Sequence, residues 1–322
     1  MRQIPRVLHI GNIANGAAEL RDAMASRGLA ECLVVETGNN RLQFAEDVRF
    51  SWDWLTSSIR RMERGMSLSI LLTTLLREAD ILHVHHEGRI PFALQKLARL
   101  AGKPVVRHFH GVELRSGGAG AEAEYAEYVL VSTPDLLSHV PKQVPRDRLE
   151  WMPTPCPVPE SCPSLPEEES VRIVHSYLPD ATYRAAYGTE AIRRAVANLR
   201  EKGHSVVLDE VSGVSHRDAL DRYRKAHIAV DKLRIGWHGT FSVECAALGR
   251  AALAGIDPGL AHFNPPVIPV TEGTLESELE SLVVDRELLL RKAREGYERA
   301  RSLHGADVIA HRMASVYQKA LG

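Results

Sequence analysis

Short apolar runs alternate with helix-type patterns along most of the chain, and this alternation restricts the fold more than any other feature. In the first half, the apolar runs predict strands at residues 7–10, 31–36, 80–85, 104–109, 128–132 and 149–152. Helices are predicted at about residues 17–27 and 90–101, and another ends near Arg77. A strand, a helix and a further strand form the repeating unit of a doubly wound parallel sheet.

The alternation stops in a proline-rich segment and then starts again. Residues 153–169 hold six prolines and end in three glutamates, a composition typical of an interdomain linker. Further strands are predicted at 171–175, 205–209, 227–231, 251–254 and 267–269, and helices at about 189–202, 216–225, 240–248, 275–283, 285–302 and 306–321. The sequence therefore predicts an α/β protein with two Rossmann-like domains, residues 1–155 and 171–303, joined by a linker at 156–170.

Composition excludes several classes of function. The chain has 322 residues, 44% of them apolar and 25% charged, which is ordinary for a globular protein. Its net charge of −1 gives no reason to expect a nucleic-acid partner. The four cysteines lack metal-type spacing and suit a reducing compartment. No apolar run is long enough to span a membrane and the N-terminus lacks signal-peptide features, so we expect a cytoplasmic protein.

One segment leaves a membrane role open. Residues 54–78 mix Arg60, Arg61 and Arg64 with apolar side chains. A helix of this kind is either a solvated amphipathic helix, which we favour, or a peripheral contact with a membrane surface.

A glycine-rich turn and the helix after it form a candidate phosphate site at residues 236–255. Gly236 and Gly239 precede a predicted helix, whose first backbone N–H groups and dipole favour an anion. Glu244 would lie about one turn into that helix, where its carboxylate can accept hydrogen bonds from sugar hydroxyls. The stretch therefore suits a nucleotide diphosphate, although an ordinary loop and helix would look similar.

Other polar groups fall directly after predicted strands, where ligands bind in parallel sheets. In the first half these are the loop containing Gly11, Asn12 and Gly16, and later His110. In the second half they are His175 and Ser176. Two such domains facing one another would form a ligand-binding cleft.

Four histidines share sheet faces in the first half. His83 and His85 lie on one face of a strand, as do His108 and His110, because strand side chains alternate with period two. Such a group invites a metal interpretation, but no carboxylate or cysteine joins it at characteristic spacing. We expect no metal here, and instead contacts with a donor or acceptor or structural packing, with His110 the strongest candidate.

The order of these motifs resembles that of GT-B-fold glycosyltransferases of the retaining family 4 type. The stretches that carry the resemblance are residues 80–86, 107–115, 131–136, 226–250 and 304–317. The resemblance implies two Rossmann-like domains, with the acceptor side in the first and the nucleotide-sugar donor side in the second. It also implies that residues 304–322 form a helix that returns to the first domain.

The resemblance assigns roles to the candidate residues. Glu244 matches the acidic residue that holds the ribose, and His110 matches the catalytic-site histidine that touches the donor sugar. The backbone of Gly239, Thr240 and Phe241 would approach the diphosphate and the sugar. The loop of Gly11, Asn12 and Gly16 would leave room for donor phosphate and acceptor.

The chain also departs from the family pattern. Gly236 stands where the first glutamate of a Glu-x7-Glu motif belongs. His175 and Ser176 occupy the expected glycine–arginine position, and Tyr187 the expected lysine position. Arg184 or Lys232 would then have to supply the positive charge that binds the diphosphate.

These observations favour a glycosyltransferase that moves a sugar from a nucleotide diphosphate sugar to an unidentified acceptor with retention, without a metal or other cofactor. Two alternatives stay open at this point. One is a catalytically weakened family member that binds a nucleotide sugar or supports a partner enzyme. The other is a GT-B nucleotide-sugar epimerase or hydrolase.

Overall fold

A computed structural model of the protein describes residues 4–36, 48–49, 72–85, 89–115, 117, 120–178 and 185–322. The chain forms two compact units. Residues 1–155 and 306–322 make up the first unit, and residues 156–305 the second. Each unit is built on a parallel β-sheet, as the sequence predicts.

The sheet of the first unit has seven parallel strands. They are β1 (Arg6–Ile10), β2 (Glu31–Glu36), β3 (Val48–Arg49), β4 (Ile81–Val84), β5 (Val105–Phe109), β6 (Tyr128–Val131) and β7 (Leu149–Trp151). Their spatial order is β3-β2-β1-β4-β5-β6-β7. Every residue of β4 and β5 is buried, which is expected where helices cover both faces of a parallel sheet. The order reverses between β1 and β4, and such a switch point is where doubly wound sheets bind ligands.

The sheet of the second unit has five parallel strands. They are β8 (Val171–Ser176), β9 (Val206–Val211), β10 (Ile228–Val230), β11 (Ala251–Ala254) and β12 (Ile268–Pro269). Their order is β12-β11-β10-β8-β9, so the switch point lies between β8 and β10.

Helices follow most of the strands. They are α1 (Gly16–Ser26), α2 (Arg89–Leu100), α3 (Val112–Arg115), α4 (Gly120–Glu124), α5 (Thr189–Glu201), α6 (His216–Arg224), α7 (Thr240–Ala247), α8 (Leu275–Val284), α9 (Arg286–His304) and α10 (Ala306–Leu321). Residues 72–78, shortly before β4, are helical as well. Two starts are fixed by side-chain caps: Ser215 Oγ accepts a hydrogen bond from Asp218 N at 3.2 Å, and Asp285 Oδ1 accepts one from Leu288 N at 2.9 Å.

Helix α10 completes the core of the first unit although it is the last element of the chain. It packs beside α1 on one face of the sheet. Its buried side chains there are Ile309, Ala310, Met313, Val316 and Tyr317. They contact the sheet residues Val7, Ile81, Val106 and Leu130, which all lie on that face. The two parts of the first unit are therefore joined by a continuous apolar layer.

The structure differs from the sequence predictions in a few places. The strand β3 and the short helices α3 and α4 are absent from the prediction because each is too short to carry a periodic pattern. Residues 156–170, predicted as a linker, belong to the second unit instead. The reason is burial: Leu165 is part of the core of that unit, and Cys156 is buried against α7.

In the segment considered for membrane contact, residues 54–71 lie outside the described residues. Within the part of the chain that the structure describes, no helix is long and apolar enough to cross a membrane.

The Met313→Ala substitution tests the packing of α10. Met313 is 1% exposed, so the variant should lose about 2–5 kcal/mol of unfolding free energy through lost burial and a cavity. Gln318→Ala, at an exposed position of the same helix, should change it by less than about 0.5 kcal/mol. Urea unfolding of both variants measures the difference; equal stabilities would contradict the packing described.

Candidate functional site

At the switch point of the second sheet, a turn leads from β10 into helix α7. Asp231 follows β10 directly and is 1% exposed. Its Oδ2 accepts one hydrogen bond from Gly239 N and one from Ser242 Oγ, both at 2.6 Å. Asp231 therefore fixes the start of α7 from within the protein, and its carboxylate is committed to the turn.

Lys232 lies against the same turn. A Cβ atom built on Gly239 would stand 3.1 Å from Lys232 Nζ and 3.2 Å from Asp231 Oδ2. Glycine at position 239 thus lets the ammonium group approach the backbone at the start of α7. A lysine ammonium and the first N–H groups of a helix attract the same ligand, an anion.

Glu244 lies one turn further along α7. It lies four positions after Thr240, so the two side chains lie on one face of the helix. The Glu244 side chain is 18% exposed, and its Oε1 is hydrogen-bonded to His216 Nε2 at 2.6 Å. Phe241 is buried and packs edge-on against Tyr223, so only its backbone can face a ligand.

His216 is a site residue that the sequence reasoning missed. It is the first residue of α6, and 28 positions separate it from Glu244. No local spacing reveals this contact, because it depends on the packing of α6 beside α7. The bond orients the Glu244 carboxylate.

The β8 end of the switch point differs from what the sequence suggested. His175 is fully buried, and both of its ring nitrogens have protein partners: Val230 O at 2.8 Å and Thr189 Oγ1 at 2.9 Å. Burial lowers the pKa of His175, so the ring is neutral. It joins β8, β10 and α5, and it offers a ligand no ring nitrogen. The prediction that His175 contacts the donor is therefore corrected to a role in positioning these elements.

The remaining predicted residues of this region are Ser176, Arg184 and Tyr187. Ser176 Oγ accepts a hydrogen bond from the Tyr223 hydroxyl at 3.0 Å. Tyr187 lies shortly before α5, with its ring centroid 6.3 Å from that of His175. Arg184 lies outside the described residues. Lys232 is therefore the one of the two proposed cations whose position is known.

Backbone conformation explains the glycine at position 236. Gly236 has φ +82°, in the left-handed region that glycine adopts without strain. Its carbonyl accepts a hydrogen bond from Asp257 N at 2.9 Å. A glutamate here would be strained, so the local turn and the missing acidic residue go together.

In the first unit, the loop after β1 is a tight turn that leads into α1. Gly11 has φ +90°, and both Ala14 and Asn15 also have positive φ, at 51° and 59°. Asn12 is buried, and its Oδ1 accepts a hydrogen bond from Ala18 N at 3.2 Å. A Cβ on Gly16 would stand 3.0 Å from Thr154 Cγ2, so the loop packs closely. Positive φ at non-glycine residues costs energy and is typical of functional loops.

A layer of five histidines lies at the carboxyl ends of β1, β4 and β5. The layer consists of His9, His83, His85, His108 and His110. His9 pairs in register with His83, and the five rings follow one another at centroid distances of 4.1–5.8 Å. The predicted pairs on shared faces are confirmed, whereas His9 was missed. The signal was available: His9 and His83 are each the second-last residue of their strands.

Hydrogen bonds link the histidine layer to α10. His9 Nδ1 and His85 Nε2 are 3.0 Å apart, and His85 Nδ1 and His110 Nε2 are 3.2 Å apart. The Tyr317 hydroxyl lies 2.7 Å from His83 Nδ1 and 3.5 Å from His9 Nε2. A hydrogen-bonded chain therefore runs from Tyr317 to the partly exposed His110.

Burial keeps four of the five rings uncharged. It lowers the pKa of His9 to about 3, and the nearby His108 and Arg21 act in the same direction. Burial, helped by the neighbouring imidazoles, also holds the pKa values of His83, His85 and His108 well below the ordinary value. These four rings are neutral at neutral pH, and each carries one N–H and one lone pair.

The residues after His110 shape the turn that carries it. Glu113 accepts a hydrogen bond from the backbone N–H of His110. Arg115 pairs with Asp135 at 2.7 Å. Gly111 has φ +150°, and a Cβ there would stand 2.8 Å from a guanidinium nitrogen of Arg115. The turn therefore needs glycine directly after His110.

Comparison with known protein families gives a match within the first unit. The model of Glycosyltransferase Family 4 matches residues 13–155. This segment therefore matches a glycosyltransferase family 4 domain. The matched range includes the last three residues of the loop before α1, four of the five histidines and the turn at Gly111. No curated protein matches the chain by sequence.

Solved structures extend the likeness to the whole fold. Sucrose-phosphate synthase from Thermosynechococcus elongatus matches with a TM-score of 0.66 and 15% identity, over 98% of both chains. MnaA from S. aureus, solved with UDP, matches with a TM-score of 0.61 and 13% identity, over 99% of this chain and 97% of that one. UDP-GlcNAc 2-epimerase from Neisseria meningitidis, bound to UDP-GlcNAc, matches with a TM-score of 0.58 and 14% identity, over 98% of this chain and 100% of that one. The family 4 domain is thus part of a GT-B fold.

The neutral histidines of the family 4 domain predict acid sensitivity. In the unfolded chain they bind protons near pH 6.5, whereas in the folded chain they do not. The stability that depends on them is complete above about pH 6.5 and falls as the pH drops, for His9 until about pH 3. Each histidine should contribute a slope of up to about 1.4 kcal/mol per pH unit.

Urea unfolding between pH 7 and pH 5, with a chelator present, measures this slope. His108→Asn should flatten it, because one buried imidazole is removed. His139→Asn, at an exposed position of the same unit, should leave it unchanged. A pH-independent unfolding free energy over this range would contradict the prediction.

Proposed function

We propose that this protein is a glycosyltransferase that takes a sugar from a nucleotide diphosphate sugar and transfers it to an acceptor with retention of configuration. The family 4 domain supports the reaction class. The candidate donor surface of the second unit supports the choice of donor. The acceptor stays unidentified.

The observation that carries the proposal is the arrangement of Lys232, Gly239 and Glu244 along one helix end. The ammonium of Lys232 and the first N–H groups of α7 suit the diphosphate. Glu244 lies four residues beyond Thr240, a rise of about 6 Å along the helix. A ribose whose 5′ oxygen carries the phosphate can span that distance and present its hydroxyls to the carboxylate.

The chemistry follows from charge at the leaving group. When the bond between sugar and diphosphate breaks, negative charge grows on the diphosphate oxygen. Lys232 and the fixed N–H groups of α7 would stabilise that charge without having to reorganise. This role does not need the glutamate that Gly236 replaces, and it accounts for a cation at position 232.

A uridine nucleotide is the first donor to test. MnaA and the Neisseria epimerase were solved with UDP and UDP-GlcNAc, respectively, and both share the fold of this chain. Thermal shift with UDP, GDP and ADP separates the bases, since a ligand at 100 times its dissociation constant stabilises by about 2.7 kcal/mol.

An epimerase or hydrolase of the same fold is the second candidate. The UDP-GlcNAc 2-epimerase likeness and the absent glutamate at Gly236 favour it. Such an enzyme would convert a nucleotide sugar with no acceptor added, whereas a transferase requires an acceptor. A chain that binds UDP but turns over no nucleotide sugar would instead be the weakened family member.

Substitution of Glu244 tests the ribose contact. Glu244→Ala should weaken UDP binding roughly 10- to 100-fold, because hydrogen bonds to a charged group contribute about 1.5–3 kcal/mol. Glu244→Gln keeps an acceptor for His216 and should lose less. Glu287→Gln, which alters an exposed carboxylate in the first turn of α9, is the control. Unchanged UDP affinity in Glu244→Ala, measured by calorimetry, would refute the assignment.

Substitution of Lys232 tests the leaving-group charge. Lys232→Met keeps the length of the side chain and removes the ammonium, so turnover should fall about 100-fold. Binding of the free nucleoside, which has no phosphate, should not change. Steady-state kinetics with the preferred donor measures the turnover, and calorimetry measures the affinity for the nucleoside. A Lys232→Met enzyme with wild-type kcat/KM would show that this cation does not serve the diphosphate.

A further inference from the structure

We propose that His9, His83 and His85 form a binding site for a divalent transition metal of the Zn²⁺ type. One ring nitrogen from each of the three lies within 4.8 Å of the other two. His9 and His83 are fully buried and His85 is 3% exposed. The site lies at the switch point between β1 and β4, and it is independent of the proposed donor surface in the second unit. It departs from the sequence expectation of no metal, which did not include His9.

The hydrogen bonds around the three rings are those of metal-binding histidines. Such histidines usually bind the metal through one nitrogen and donate the other N–H to an outer partner. His83 Nδ1 and His9 Nε2 face the Tyr317 hydroxyl, at 2.7 and 3.5 Å. His85 Nδ1 faces His110 Nε2 at 3.2 Å. Each ring therefore has one nitrogen held by an outer partner, and the other nitrogen, Nδ1 of His9 or Nε2 of His83 and His85, is the candidate metal ligand.

A buried ring nitrogen without a hydrogen-bond partner is a further observation in favour of a metal. His83 Nε2 is buried and has no hydrogen-bond partner, although buried polar atoms nearly always have one. Because the Tyr317 hydroxyl occupies Nδ1, the lone pair of a neutral His83 can lie on Nε2. A bound cation would satisfy this atom.

The spacing is close to that of a zinc site. Two nitrogens bound tetrahedrally to one Zn²⁺ at 2.0–2.1 Å lie about 3.3 Å apart. His9 Nδ1 and His85 Nε2 are 3.0 Å apart, with one shared proton between them in the absence of metal. A metal would take the place of that proton after a shift of a few tenths of an ångström, and the proton would move to the outer nitrogen of the same neutral ring, which faces Tyr317 in His9 and His110 in His85.

The ligand set indicates the kind of ion. Three neutral imidazoles suit Zn²⁺ and its neighbours rather than Mg²⁺ or Ca²⁺, which prefer oxygen ligands. Three histidines leave a fourth position for water. The nearby Arg107 does not oppose the ion with a free charge, because Glu122 neutralises it at 2.8 Å.

A second histidine group shares His85. His85, His108 and His110 also bring ring nitrogens within 4.8 Å of one another. We favour the deeper group because Tyr317 holds two of its rings, and because all three of its members are buried whereas His110 is partly exposed. The two groups make different predictions for single substitutions.

Metal content and Co²⁺ spectra test the proposal on the full-length chain. Protein produced with added Zn²⁺ should retain about one Zn²⁺ per chain after dialysis, as measured by elemental mass spectrometry. Chelator-treated protein should bind one Co²⁺ and develop the intense visible absorption of a tetrahedral site. Absence of both retained Zn²⁺ and tetrahedral Co²⁺ absorption would overturn the proposal.

Variants locate the site. Tyr317→Phe keeps the packing of the ring and removes the hydroxyl, so Co²⁺ affinity should fall about 10- to 100-fold. His9→Asn should abolish the tetrahedral spectrum, whereas His108→Asn should retain it. Circular dichroism shows which variants are folded, and Tyr317→Phe carries the test if His9→Asn unfolds. Loss of Co²⁺ binding in His108→Asn, with full binding in Tyr317→Phe, would assign the metal to the other group and refute this one.

Discussion

The common direction of the strands is the constraint on which the rest of the structure depends. In each sheet all strands are parallel, so every strand delivers the residues that follow it to the same edge. In the first unit this brings together histidines from three strands that are distant in sequence. In the second it places Lys232 and Glu244 beside one turn. Both candidate sites lie at the point where the strand order reverses, as expected for doubly wound sheets.

Local signals were enough to predict most of the fold. The bounds of β2 and β11 agree with the apolar runs, and α10 agrees with its periodic pattern. Sequence was a poorer guide where tertiary packing decides the outcome. The proline-rich residues 156–170 have the composition of a linker, yet they join the second unit because Leu165 finds a place in its core.

The residues of the candidate sites also fall into those that local sequence patterns predict and those that tertiary packing decides. The glycine turn and Glu244 could be found from sequence because phosphate binding requires a local pattern of glycine, helix start and carboxylate. The contact of Glu244 with His216 could not be predicted, since it joins two helices across 28 positions. His175, in contrast, was predicted from sequence as a ligand contact although its ring serves the fold. It follows the right strand, but both ring nitrogens are used inside the protein, which spacing along the chain does not reveal.

The position of α10 has a consequence for how the protein is made. Residues 306–322 leave the ribosome after the whole of the second unit, yet they close a core that begins with β1. Domains usually fold in the order in which they are synthesised, the N-terminal one first. Here all residues of the second unit, 156–305, are synthesised before the first unit is complete. Until α10 arrives, only α1 packs on the apolar face around Val7, Ile81 and Val106, and the part that α10 covers stays exposed. A nascent or truncated chain is therefore exposed to aggregation through its N-terminal half.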